Sequence, residues 1–392
     1  MPTTTLALIA VIAILAAAYV ASPVLAPLAL GLFIIALAWP LQAHLQSRMP
    51  KLLALAIVML TIVATFLALA SLVLWGFGRV GQALVSDAAR FQLLYEQTQA
   101  WLDAHGIALV GAWAEHFDVR WLVRAVQEIT GRVSTTLTFW LVVLLYVMLG
   151  LLEVGDFARK VRAMADGEAA RVLLDGSAVA AAKLRKYMVV RTLMSTITGL
   201  LVWAVAAIAG LPFATEWGAI AFGLNYIPYI GPFIATALPT LYALAQFASW
   251  QATLGVFLGL NAIQFIVGSY IEPRVCGTAL ALSPTVVLFA VFLWTFLWGP
   301  FGAFIGVPIA IVLLTFCAQH PSTRWLADLF GGARRAAGRR GRPAGADVLV
   351  LPRDIHTLGW QQAEPSCRPC RQRVDIERRW LCVGCLHDRG RR

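Results

Sequence analysis

Residues 223–232 read Gly223-Leu-Asn-Tyr-Ile-Pro-Tyr-Ile-Gly-Pro232 and lie inside an apolar run that extends from 217 to 247. As one straight helix that run would measure about 46 Å, against a bilayer core of about 30 Å. Pro228, Gly231 and Pro232 fall in its middle. A proline withholds an amide donor and clashes with the preceding turn, so the run reads as two half-helices joined by irregular backbone. A second run, 284–317, is interrupted in the same way by Trp298-Gly-Pro-Phe-Gly302. Irregular backbone at membrane depth is stable only against protein or a wet cavity, which places both breaks inside a bundle. Each run either crosses once with a kink or folds back as a re-entrant hairpin. The sequence is compatible with both.

Six further apolar elements lie near 6–21, 24–39, 52–76, 134–152, 192–211 and 251–270, giving eight in all. The first two are short for spans and are divided by Ser22-Pro23. A cleaved secretory signal is not expected, because no Lys or Arg precedes Leu6 and a second apolar run follows at once. Across 392 residues, 60% are hydrophobic and 13% charged, with a mean hydropathy of +0.77. A soluble domain carries roughly 25% charged residues, so the fold class is all-α and polytopic, in the membrane.

Charge divides the chain. Residues 319–392 hold 15 of the 31 Lys and Arg but only 7 of the 20 Asp and Glu. The expected organisation is a membrane body over 1–318, a basic linker over 319–345 and a small tail over 346–392. Arg48 and Lys51 in one connection, and the eight Lys and Arg of 153–191, mark cytoplasmic segments, the longer of them helical. Segment 77–133 then falls in the periplasm, with an amphipathic helix expected over 80–102. The C-terminus ends in the cytoplasm, and the expected location is the inner membrane of a bacterial cell.

Polar residues inside the spans are the candidate site, since an uncompensated charge there is expensive. Asn261, Gln264, Gly268 and Glu272 recur at spacings of three, four and four, which at about 100° per residue makes one stripe. They either bond a neighbouring helix, with Glu272 and Arg274 forming a surface pair, or line a solute path that Glu272 and Arg274 gate. Asn225 beside the break at Pro228, Gly231 and Pro232 either caps a helix or holds a polar solute on the unwound backbone. Glu216, after the Pro212 turn, is expected at the interface. The six histidines lie outside the long spans, and nothing resembles a hydrolytic triad or a phosphate-cradling loop. An enzyme is not expected.

Three motifs in order carry a resemblance: Gly223 through Pro232 followed by Pro239; Ile271-Glu-Pro-Arg-Val-Cys-Gly277 followed by Leu282-Ser-Pro284; and Trp294 through Gly302 to Val307-Pro308. Over about residues 5–320 the chain resembles the autoinducer-2 exporter family of bacterial permease-like proteins. The resemblance implies export of a small polar solute such as autoinducer-2; sodium or proton antiport, known for some members, is an alternative. Membrane lipids, a small-molecule substrate and further copies of the same chain are the expected partners, and nucleic acid is not.

The tail departs from that pattern. Cys367-x2-Cys370 and Cys382-x2-Cys385 are separated by 11 residues, a spacing that suits one tetrahedral zinc and resembles a zinc ribbon. Zinc is therefore the expected cofactor of the tail, with none for the body. A non-transporting scaffold that recognises a partner through this tail is the rival reading.

Overall fold

The computed structural model describes residues 3–86, 133–163, 167–247, 249–276, 282–320 and 322–331. These form helices α1 (Thr3–Val20), α2 (Ser22–Gln46), α3 (Lys51–Ser86), α4 (Val133–Arg162), α5 (Gly167–Ile208), α6 (Ala214–Leu224), α7 (Ile230–Phe247), α8 (Trp250–Ile266), α9 (Glu272–Cys276), α10 (Pro284–Gln319) and α11 (Arg324–Phe330). A π turn, Val267–Ile271, joins α8 to α9. Among the described residues, seven helices are long and apolar enough to cross a membrane, and α1 adds a shorter apolar helix. The fold is all-α and polytopic. The tail cysteines and most of the expected periplasmic segment lie outside the described residues, whereas residues 80–86 continue α3 without a break.

Both broken runs fold back on themselves. In the first, Trp217 and Tyr242 bring their rings to 5.8 Å near the base, while Gly231 lies so close to Leu224 at the tip that any Cβ would strike the Leu224 carbonyl. In the second, Gly299 adopts φ 66°, ψ −149°, a backbone region essentially reserved for glycine. Beyond it the chain reverses: Gly302 abuts the Trp294 carbonyl, and a Cβ on Gly306 would lie 2.8 Å from the Ala290 carbonyl. Paired positions that diverge in this way define an antiparallel hairpin. α6–α7 and the two arms of α10 are therefore helical hairpins, which answers the question the sequence leaves open.

The hairpins approach α5 from opposite ends. Gly218 of α6 sits against Trp203, in the C-terminal half of α5, and Glu216 pairs with Arg79 near the end of α3. The roots of α10 meet the N-terminal half instead, where Lys183 donates to the Thr315 hydroxyl at 3.0 Å and Phe316 covers Gly176. Two apolar cores follow this division. Met194, Val202, Trp217, Ile220, Tyr242 and Leu260 fill one, and Phe33, Val58, Val147, Leu184, Val291 and Ile305 fill the other. Half of the most apolar window of α10 is buried but only 17% of that of α3, so the second hairpin is central and α3 peripheral.

Local chemistry explains the ends. Ser283 caps α10, its hydroxyl accepting from the Val286 amide, and Pro284 occupies the first turn, where no amide partner is needed. Trp298 at the tip of the second hairpin donates its indole N–H to the Ala18 carbonyl at 3.1 Å, tying that tip to α1. Residues 324–330, expected to be linker, form α11 instead. Ala327 buries there, and the chain closes with a bridge between Gly331 and Leu282.

Candidate functional site

The tip of the first hairpin, Asn225–Tyr229, rests against the middle of α5. Asn225 is buried and its Nδ2 donates to Ser195 Oγ at 3.3 Å; the Tyr226 hydroxyl donates to Thr192 Oγ1 at 3.1 Å. Tyr229 holds a left-handed backbone, φ 63°, and reaches the Pro284 carbonyl at 3.4 Å, so it links the first hairpin to the root of the second. The unwound backbone is largely paired within itself: the amides of Asn225, Tyr226, Ile227, Ile230 and Gly231 all find carbonyls within the tip. Pro228 and Pro232 have none to place. The tip therefore presents mainly side chains.

The expected stripe on α8 is divided by the π turn. In it the Glu272 amide bonds the Val267 carbonyl, five residues back, so Glu272 lies beneath buried Val267 on the face toward α5. There its Oε1 accepts from Arg191 Nη1 at 3.2 Å. Arg274, the partner expected from sequence, is exposed, and so are Asn261 and Gly268. Asn261 returns its Nδ2 to the Phe257 carbonyl of its own helix. Gln264 keeps the inward direction, with a buried Nε2 that has no partner among the described residues.

Arg191, Ser195 and Thr198 are the residues that sequence reasoning missed. They recur at spacings of four and three, on one buried face of α5. The signal was present in Arg191-Thr-Leu-Met-Ser-Thr-Ile-Thr198, but Arg191 had been counted with the basic loop and used only for orientation. It lies 17 residues before Ile208, about 26 Å along the helix, and so within one bilayer thickness of that end. Asn225, Ser195, Arg191, Glu272 and Tyr229 form a polar seam where three segments meet. Tyr229 lies in the field of both charges.

Glu216 is buried against the bundle, paired with Arg79 at 3.1 Å, and the Arg79 guanidinium lies 6.0 Å from the Trp75 ring. A separate groove lined by Val205, Ile208, Phe247, Ala252 and Val256 is apolar and sits at the far end of α5 from Arg191.

The model of the AI-2E family transporters matches residues 8–321. The AI-2 transport protein TqsA of Escherichia coli (strain K12) is 30% identical over 297 residues, which cover 75% of this chain and 85% of that protein. A protein of Haemophilus influenzae, named provisionally for transport, is 26% identical over 340 residues, or 84% of this chain and 96% of its own. With a match of that extent the chain belongs to the AI-2E family, a family of membrane transporters and not of enzymes.

Proposed function

We propose that this transporter exports a small polar solute through the seam between the first hairpin tip, the Arg191–Thr198 face of α5 and the π turn. A single observation supports the reading most: polar side chains of three separate segments converge where the hairpins meet. An isolated structural hydrogen bond would need only two of them. Asn225, Tyr229, Ser195 and Glu272 would bear on the solute directly. Pro228, Gly231 and Pro232 shape the tip. Asn261, Gly268 and Arg274, which face outward, would act at its margin if at all, and Gln264 lies nearer. An autoinducer-2-like compound is the substrate suggested by the relative's name.

Sidedness in this reading follows the basic residues. Arg159, Lys160 and Arg162, at the end of α4, face the cytoplasm. The second hairpin, rooted against the start of α5, then enters from the cytoplasm and the first from the periplasm, with the C-terminus cytoplasmic and the body in the inner membrane, as an oligomer of identical chains.

The test is efflux from proteoliposomes containing the purified full chain, combined with cysteine substitution. Cysteines at Asn225 and Tyr229 should react with water-soluble thiol reagents and be protected by the exported solute. Protection at neither, in a protein that transports, would move the path elsewhere. Absence of solute movement with every imposed ion gradient would reject export.

A further inference from the structure

The Arg191–Glu272 pair is lopsided in the opposite sense to Arg79–Glu216, where the arginine is the exposed partner and the carboxylate the buried one. The Arg191 side chain is 7% exposed and that of Glu272 is 36% exposed, so the cation is fixed inside the protein while the anion has a route to solvent. They touch through one contact, Nη1 to Oε1 at 3.2 Å, longer than the roughly 2.7–2.9 Å of a well-formed charge-assisted bond. A guanidinium presents five donors in a rigid fork that matches a carboxylate or phosphate through two of them. Here the fork is incompletely used: Glu272 takes Nη1, while Nε, on the side edge that it shares with Nη2, is buried with no partner among the described residues.

Donors suited to the rest of a small molecule surround that edge. Ser195, one turn beyond Arg191, accepts from Asn225, which leaves its own hydroxyl hydrogen to give. Thr198 Oγ1, one turn further, is fully buried and has no partner among the described residues. The Tyr229 phenol lies in the field of both charges. Arg274 is exposed, so Arg191 is the basic group that the seam offers. The π turn supplies a way for Glu272 to leave, because reverting to α-helical register would swing residue 272 by about one residue's rotation, roughly 100°.

We propose that Arg191 is the receptor for a small hydroxylated anion, and that the anion takes the place of the Glu272 carboxylate on the guanidinium. This rests on the seam being the solute path, and it specifies the class of solute. The charge at the seam is unchanged by the exchange: one carboxylate leaves toward water as one anion enters. Glu272 is thus a built-in competitor that keeps Arg191 neutralised when no solute is bound, and its departure frees the π turn from α5.

The test is binding to the purified full chain in nanodiscs, read by thermal unfolding and calorimetry, with lactate, erythronate and inorganic phosphate as anions and erythritol as the neutral match to erythronate. At least one anion should stabilise the parent saturably while erythritol does not. Arg191→Gln should lose that binding at least tenfold. Glu272→Gln should strengthen it about fivefold or more, since the competitor is gone; a supporting ion pair would instead weaken binding in both variants. Arg191→Lys, which keeps the charge without the fork, should bind the anion more weakly than the parent, and it serves if Arg191→Gln does not fold. No response to any of the three anions, or weakening by Glu272→Gln, overturns the proposal. Flux separates it from the transport reading: movement of erythritol but not erythronate rejects the anion class alone, whereas anion binding without movement of either rejects this path for transport and leaves the receptor standing.

Discussion

Asn225 and Ser195 form a buried contact in which each group depends on the other. Replacing Asn225 by leucine leaves the Ser195 hydroxyl without its donor in an apolar setting, a loss of about 1–3 kcal/mol. The expected outcome is a lower thermal midpoint together with reduced efflux. Adding Ser195→Ala should then cost little more, because the two sites share one interaction. Unfolding of the two single variants and the double variant checks this, and additive losses would argue against the shared bond. Asn225 was legible as a candidate because a carboxamide stood near two prolines. Arg191 was not, since position alone does not separate the last charge of a loop from the first charge of a span. Its partner settles that, and the partner is 81 residues away.

At the scale of elements, the Pro and Gly pairs showed where the long runs break but not that the chain turns back, because a kink and a hairpin have the same local signature. The deciding contacts are between Gly306 and Ala290 and between Trp217 and Tyr242, which no periodicity shows. Gly299→Ala should destabilise the second hairpin by about 1–3 kcal/mol, since its φ and ψ exclude a side chain. Loss of folded protein on size exclusion after mild heating is the readout. The π turn was equally hidden, because Gly268-Ser-Tyr has no pattern that marks an extra residue. Deleting Gly268 should make the five-residue step a four-residue one, removing the π turn while Glu272 stays beneath Val267 and against Arg191. A cysteine pair at 191 and 272 should therefore crosslink in the parent and still do so in the deletion, and loss of the crosslink would argue against the bulge.

For the molecule as a whole, the family match ends at residue 321, so a transporter should tolerate loss of the tail and a scaffold that acts through the tail should not. Truncation after Gly331, which keeps the bridge to Leu282, should retain most efflux. The cysteines Cys367, Cys370, Cys382 and Cys385 are proposed to hold one zinc, because a segment of this size seldom buries enough surface to fold without a metal or disulfides, and disulfides are disfavoured in a reducing cytosol. Elemental analysis of the full chain should find about one zinc per chain, absent from the truncated form. The fold class was evident from composition. The use of the tail was not, since cysteine spacing proposes a metal and says nothing of a purpose.

Arg191, buried in the seam, is where the proposed anion seats, and an anion that crosses the membrane carries net charge through its potential. That movement is worth about 2.3 kcal/mol per elementary charge for each 100 mV. For an anion leaving a cell that is negative inside, the electric field itself pushes outward. Efflux of erythronate from valinomycin-clamped liposomes should accelerate as the lumen is made more negative, while erythritol should be indifferent to the clamp. A buried cationic receptor in the path would then make resting voltage a source of direction, without any coupled ion.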